Sequence, residues 1–91
     1  MKNTVTQSYV DALFREADKI EKVVFDKCLI ISIQLPNGFI ITESSACVDP
    51  MNFDREIGFE ICREKIKNKI WELEGYKLQN ELYNTTKQAV Y

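Results

Sequence analysis

An α+β fold, with an N-terminal helix, a β-hairpin and a long C-terminal helix in the order α-β-β-α, is what this sequence predicts, and three observations carry it. Apolar residues near the N-terminus recur at helical spacing, those from Val23 to Leu35 alternate, and a second helical pattern opens near Asn52. The whole chain has 91 residues, enough for one domain and too few for two. Hydrophobic residues at 45% and charged residues at 29% describe an ordinary globular composition. The core is expected over residues 5–83, with a loose tail at 84–91.

Thr4 with Gln7 has capping-box spacing, and Thr6 is a second N-cap candidate. Val10, Leu13, Phe14 and Ala17 then share one helical face, so the spacing predicts a helix over residues 7–20. From Val23 the period drops to two, through Phe25, Leu29, Ile31, Ile33 and Leu35, and predicts a strand. Pro36-Asn37-Gly38 ends it, and Asn-Gly favours a two-residue hairpin turn with a returning strand over residues 39–48. In that register Ile33 faces Thr42 and Cys28 faces Cys47, and Ile40, Thr42, Ser44, Ala46 and Val48 share the face of Leu29 to Leu35. A bulged three-residue loop would shift every pair by one.

Asp49 before Pro50, or Asn52 itself, is the expected cap of the second helix, drawn over residues 53–83 with a bend or pause at Gly75. Two apolar stripes run along it. Phe59, Cys62, Ile66, Ile70 and Leu73 form one; Phe53, Ile57 and Ile61, with Trp71, Leu78 and Leu82 further on, form the other. A helix apolar on two sides has two neighbours, and one helix with a hairpin cannot supply both. A homo-oligomer is therefore expected, with Phe53, Ile57, Gly58, Ile61, Gly75, Leu78 and Leu82 at its interface.

Charge and composition exclude several classes. The net charge is −2 and histidine is absent, which argues against double-stranded nucleic-acid binding and removes the Ser-His and Cys-His nucleophile plans. No enzymatic activity is expected. Cys28, Cys47 and Cys62 are widely spaced, so neither a metal nor another cofactor is implied. No apolar run is long enough for a membrane span, and the N-terminus lacks the order of a secretory signal, so a cytoplasmic location is expected.

The chemistry-bearing stretch is Arg63-Glu64-Lys65-Ile66-Lys67-Asn68-Lys69. Such cations ordinarily keep a helix soluble and lay their stems over its apolar seam. The sharper expectation is a pocket for a small phosphate-bearing ligand, built in an oligomer from Arg63, Lys67, Lys69, Asn68, Trp71, Glu74 and Tyr76.

The series Leu35-Pro36-Asn37-Gly38-Phe39, Ser45-Ala46-Cys47-Val48-Asp49-Pro50, Asn52-Phe53-Asp54, Glu56-Ile57-Gly58 and Trp71-Glu72-Leu73-Glu74-Gly75-Tyr76 resembles the Gp49-like family of bacteriophage proteins, of the phage N4 and phage Sf6 type. The resemblance runs from Val5 to Leu82. It implies a small phage protein and carries over no catalytic residue. By analogy with small phage proteins that sequester nucleotide signals of bacterial immunity, it leads to the expectation of an oligomeric sponge in the host cytoplasm. The alternatives are a module that inhibits a host protein and a small structural or assembly factor.

Overall fold

A computed structural model describes residues 4–90, with side chains to Thr85. In order, the chain forms α1 (Gln7–Glu16), β1 (Asp18–Val24), β2 (Cys28–Gln34), β3 (Ile40–Ala46), a 3-10 turn at Pro50–Asn52 and α2 (Arg55–Val90). The strands make one antiparallel sheet in the order β1-β2-β3. The expected hairpin is thus a three-stranded meander, and the first helix stops at Glu16, short of residue 20. None of the helices among the described residues is long and apolar enough to cross a membrane.

α1 starts where Thr6 Oγ1 accepts the Tyr9 N–H, an N-cap bond that satisfies one of the free donors of the first turn. It ends where the Lys19 ammonium donates to the Arg15 and Ala17 carbonyls, at the negative end of the helix dipole. Beyond Ala17 the residues Ile20, Val23 and Val24 favour extended backbone, and β1 takes them.

The turn from β1 to β2 holds Phe25 at φ 53° and Asp26 at φ 57°, both left-handed, closed by the Lys27 N–H on the Val24 carbonyl. Aspartate tolerates that region, whereas a bulky side chain there is strained by roughly 1 kcal/mol or more.

Between β2 and β3 the loop is Pro36-Asn37-Gly38, three residues rather than two. Proline has no N–H, so it cannot close the hairpin as the partner of Phe39. Instead the Leu35 N–H donates to the Phe39 carbonyl, Gly38 takes φ 94°, and Asn37 Oδ1 accepts the Phe39 N–H. Ile33 consequently pairs with Ile41 and Cys28 with Ala46. This one-residue shift corrects the two-residue register and reverses its faces: Ile41, Glu43 and Ser45 share the face of Leu29, Ile31 and Ile33, while Ile40, Thr42, Ser44 and Ala46 point the other way.

Both helices lie on that first face. Val10, Phe14 and Ala17 join Leu29, Ile31, Ile33, Leu35 and Ile41, with Cys62, Ile66 and Ile70 of α2, in one buried cluster, and Phe59 and Leu73 pack against it. The first apolar stripe of the long helix is therefore its core seam. α1 lies beside α2, with the Phe14 and Phe59 rings edge to face at 6.3 Å and Lys67 Nζ 2.9 Å from Asp11 Oδ1. The opposite face of the sheet, with Ile20, Ile30 and Ile40, carries no layer among the described residues.

Asp49 caps the 3-10 turn and Asp54 caps α2, its Oδ1 accepting the Glu56 and Ile57 N–H groups, so the cap of the long helix is neither Asp49 nor Asn52. The helix then runs 36 residues without a break at Gly75, about 54 Å at 1.5 Å per residue, in a molecule 61 Å long. The expected loose tail is helical through Val90; its last residue, Tyr91, lies outside the described residues.

Candidate functional site

The cations of α2 do not converge within one chain. Arg63 pairs with Glu60 one turn back, Lys69 lies 3.7 Å from Glu72, Lys67 turns to α1, and Lys65 donates to the Ser44 carbonyl on the free edge of β3. A step of two residues turns about 200° around the helix, so the four cations find four separate partners, two on α2 itself, one on α1 and one on β3. Lys67 also sits 5.7 Å from the Phe14 ring centroid, which Lys19 approaches to 4.8 Å. Arg63 Nε is buried and has no hydrogen-bond partner.

The remaining residues of the expected pocket are spread further. Trp71 packs half-buried against the core, Asn68 and Tyr76 are exposed, and Glu74 lines a cleft of about 310 Å³ with Val5, Tyr9, Lys77, Leu78 and Glu81. That cleft lies between the N-terminal segment and the far half of α2.

The expected interface residues divide into two groups. Phe53, Ile57, Gly58 and Ile61 gather with Ser45, Ala46 and Cys47 around a groove of about 110 Å³ between β3 and the first turns of α2. Gly75, Leu78 and Leu82 lie toward the other end of the helix, and a Cβ on Gly75 would meet nothing within 4 Å. Ile57 is 60% exposed, and beside it runs the outer edge of β3, since the Cys47 N–H and Lys27 carbonyl bond fixes the odd-numbered residues of this strand as those turned to β2. The even-numbered backbone groups face outward, where Lys65 covers one of them.

The thiols are packing groups. Cys62 is fully buried with its Sγ 3.8 Å from the Leu29 carbonyl oxygen, and burial pushes its pKa up, away from the reactive thiolate. Cys28 and Cys47 are free and half-buried.

Asp11 is the carboxylate with a built environment. The hydrogen bond from Lys67, and secondarily that from Gln7, holds its pKa below the usual carboxylate value. A depressed folded value means that its contribution is present above the unfolded pKa and is lost as pH falls through the folded one. Acid titration of Asp11→Asn, followed by circular dichroism, should therefore show a shallower loss of stability below about pH 4 than the parent chain. Added salt should narrow the difference only in part, because the pair is half-buried, with the Lys67 side chain 16% exposed.

Sequence spacing does not reveal one feature of this end of the molecule. The turn after β1 and the loop after β3 lie side by side, joined by the Cys47 N–H on the Lys27 carbonyl and by Lys27 Nζ on the Val48 carbonyl. They display Phe25, Val48 and Met51 to solvent. The strand period had assigned Val48 to the core; the register shift and the end of β3 at Ala46 take it out.

No curated protein and no solved structure matches the chain. A family model does match, over residues 2–82. The motif series that bears the resemblance falls at the β2–β3 turn, around the groove at the start of α2 and along its middle turns, and by that match the chain belongs to the phage protein (N4 Gp49/phage Sf6 gene 66) family.

Proposed function

We propose that this phage protein acts in the host cytoplasm without catalysis, as a homo-oligomeric binding module that blocks a host component by surface contact. The observation that supports this reading is the groove at the β3 edge, where Ile57 and Ile61 stand exposed beside outward-facing strand backbone. Exposed apolar side chains next to an open strand edge are a site for a second polypeptide.

Native mass spectrometry tests it. The parent chain should appear as a defined oligomer, and Ile57→Glu with Ile61→Glu should appear as a monomer of unchanged helical circular dichroism. Ile57 is 60% and Ile61 42% exposed and neither belongs to the buried cluster, so the charges act on the contact more than on the core. A monomeric parent chain would overturn the reading.

The second reading is sequestration of a small phosphate-bearing signal, and the unpartnered, buried Nε of Arg63 favours it, because a guanidinium that turns outward could donate that N–H to an oxyanion. It requires Arg63, Lys67 and Lys69 of several copies to exchange their carboxylate partners for phosphate. Adding cyclic and linear nucleotides to the same sample separates the two: a retained nucleotide mass carries the second reading, and an unchanged oligomer mass removes it.

A further inference from the structure

We propose that the end of the molecule formed by Phe25, Val48 and Met51 is an anchor that inserts into an apolar cleft of another protein, one whose rim is lined by lysine and arginine. The proposal rests on the reading of the chain as a binding module, and names a second surface and the chemistry of its partner. Phe25 is 87% exposed, Val48 92% and Met51 91%. An isolated exposed apolar residue needs no explanation. Three such residues, on two loops tied together by Lys27, are apolar groups of the kind that supply binding anchors.

Backbone strain is the second observation. Phe25 holds φ 53° in a turn where asparagine or glycine would sit without cost, and its ring makes no compensating contact with the core. A strained aromatic directed into solvent gives the folded chain nothing and presents its ring to a partner from a fixed backbone position.

Charge selects the occupant. Asp26 and Asp49 are exposed on the two loops, and Asp54 and Glu56 follow them, exposed, at the start of α2; Lys27 keeps its positive charge while donating to the Val48 carbonyl, and Arg55 pairs with Glu21 at 2.5 Å, so carboxylates outnumber cations at this end. An acidic rim is repelled by the anionic face of a bilayer and by nucleic acid. It is also repelled by itself, so a two-fold contact of tip on tip would set carboxylate against carboxylate. A protein cleft with a basic rim is the complementary surface.

The test places a photo-crosslinking amino acid at Phe25, and in a parallel chain at Ser8 on exposed α1, in phage-infected host cells. The expected result is one protein adduct from Phe25 and none from Ser8, with the adduct mapping to an apolar cleft flanked by Lys or Arg. With the crosslinker moved to Val48, Phe25→Asn should cut the yield about ten-fold or more while raising the melting temperature, since asparagine accepts the left-handed turn. Asp26→Asn with Glu56→Gln should slow association with the purified partner, most strongly at low salt. Adducts confined to a second copy of this chain, to lipid, or spread evenly over many proteins would overturn the proposal, as would an unchanged yield with Phe25→Asn. A monomer by native mass spectrometry that still gives the adduct would remove the groove reading and leave the tip; an oligomer without the adduct would do the reverse.

Discussion

Replacing Ile66 with alanine should lower stability by about 3–4 kcal/mol, and the melting temperature by roughly 15–25 °C for a domain of this size. Ile66 is fully buried in the middle of the Cys62-Ile66-Ile70 seam, which is the part of α2 that seals the sheet. The core is a single interface between one sheet face and two helices, so a cavity there has little around it that can collapse inward. Set against a total of about 5–15 kcal/mol for a small domain, Ile66→Asp should leave no folded population, because the carboxylate would be buried without a partner. The control is Ile20→Ala on the open face of the sheet, where the side chain is 74% exposed; its effect should stay within about 0.5 kcal/mol. Thermal unfolding followed by circular dichroism reads all three. A loss below about 1 kcal/mol for Ile66→Ala would show that another element seals the core.

That seam was legible because five apolar residues kept a helical period through a heavily charged stretch, and charge on the other faces sharpened the stripe. The cap at Thr6 was legible as one of two choices, for a similar local reason. The sheet was less so. Pro36 carried the signal for the three-residue loop in its missing N–H, but Asn37-Gly38 carried a competing signal for the tighter turn. The first turn was poorly marked, since Phe25-Asp26-Lys27 contains no glycine, proline or asparagine, and its one turn-forming residue, Asp26, follows a phenylalanine that takes the same left-handed backbone and that alternation counts as strand.

At the candidate site the limit is of another kind. Helical spacing located the cations of α2 on its edges, yet Lys67 and Lys65 are partnered by Asp11 and by the Ser44 carbonyl, which come from other elements. A period within one helix contains no information on what lies opposite. The same holds for Val48, whose exposure follows from where β3 ends and how it pairs.

The glycines of α2 give the other large effect, through opposite expectations at Gly58 and Gly75. A Cβ on Gly58 would lie 3.4 Å from Leu29 Cβ and 3.5 Å from Leu29 Cδ2, whereas one on Gly75 meets open space. Alanine fits at both, and both substitutions should stabilise the helix, by up to about 1 kcal/mol. Leucine fits only at Gly75. At Gly58 its extra carbons would press on the fully buried Leu29, and Gly58→Leu should cost about 2–3 kcal/mol. The first turns of α2 could relieve that pressure only by lifting from the sheet, which would part Phe53 and Ile57 from Ser45 and Cys47 and deform the groove. Gly58→Leu should therefore weaken self-association as well as stability, and Gly75→Ala should leave the oligomer intact. Native mass spectrometry beside urea unfolding separates these outcomes. If Gly75→Ala dissociates the oligomer while the fold gains stability, the copies meet along the far half of α2, where Leu78 and Leu82 lie, and the groove at the β3 edge is left for a different partner.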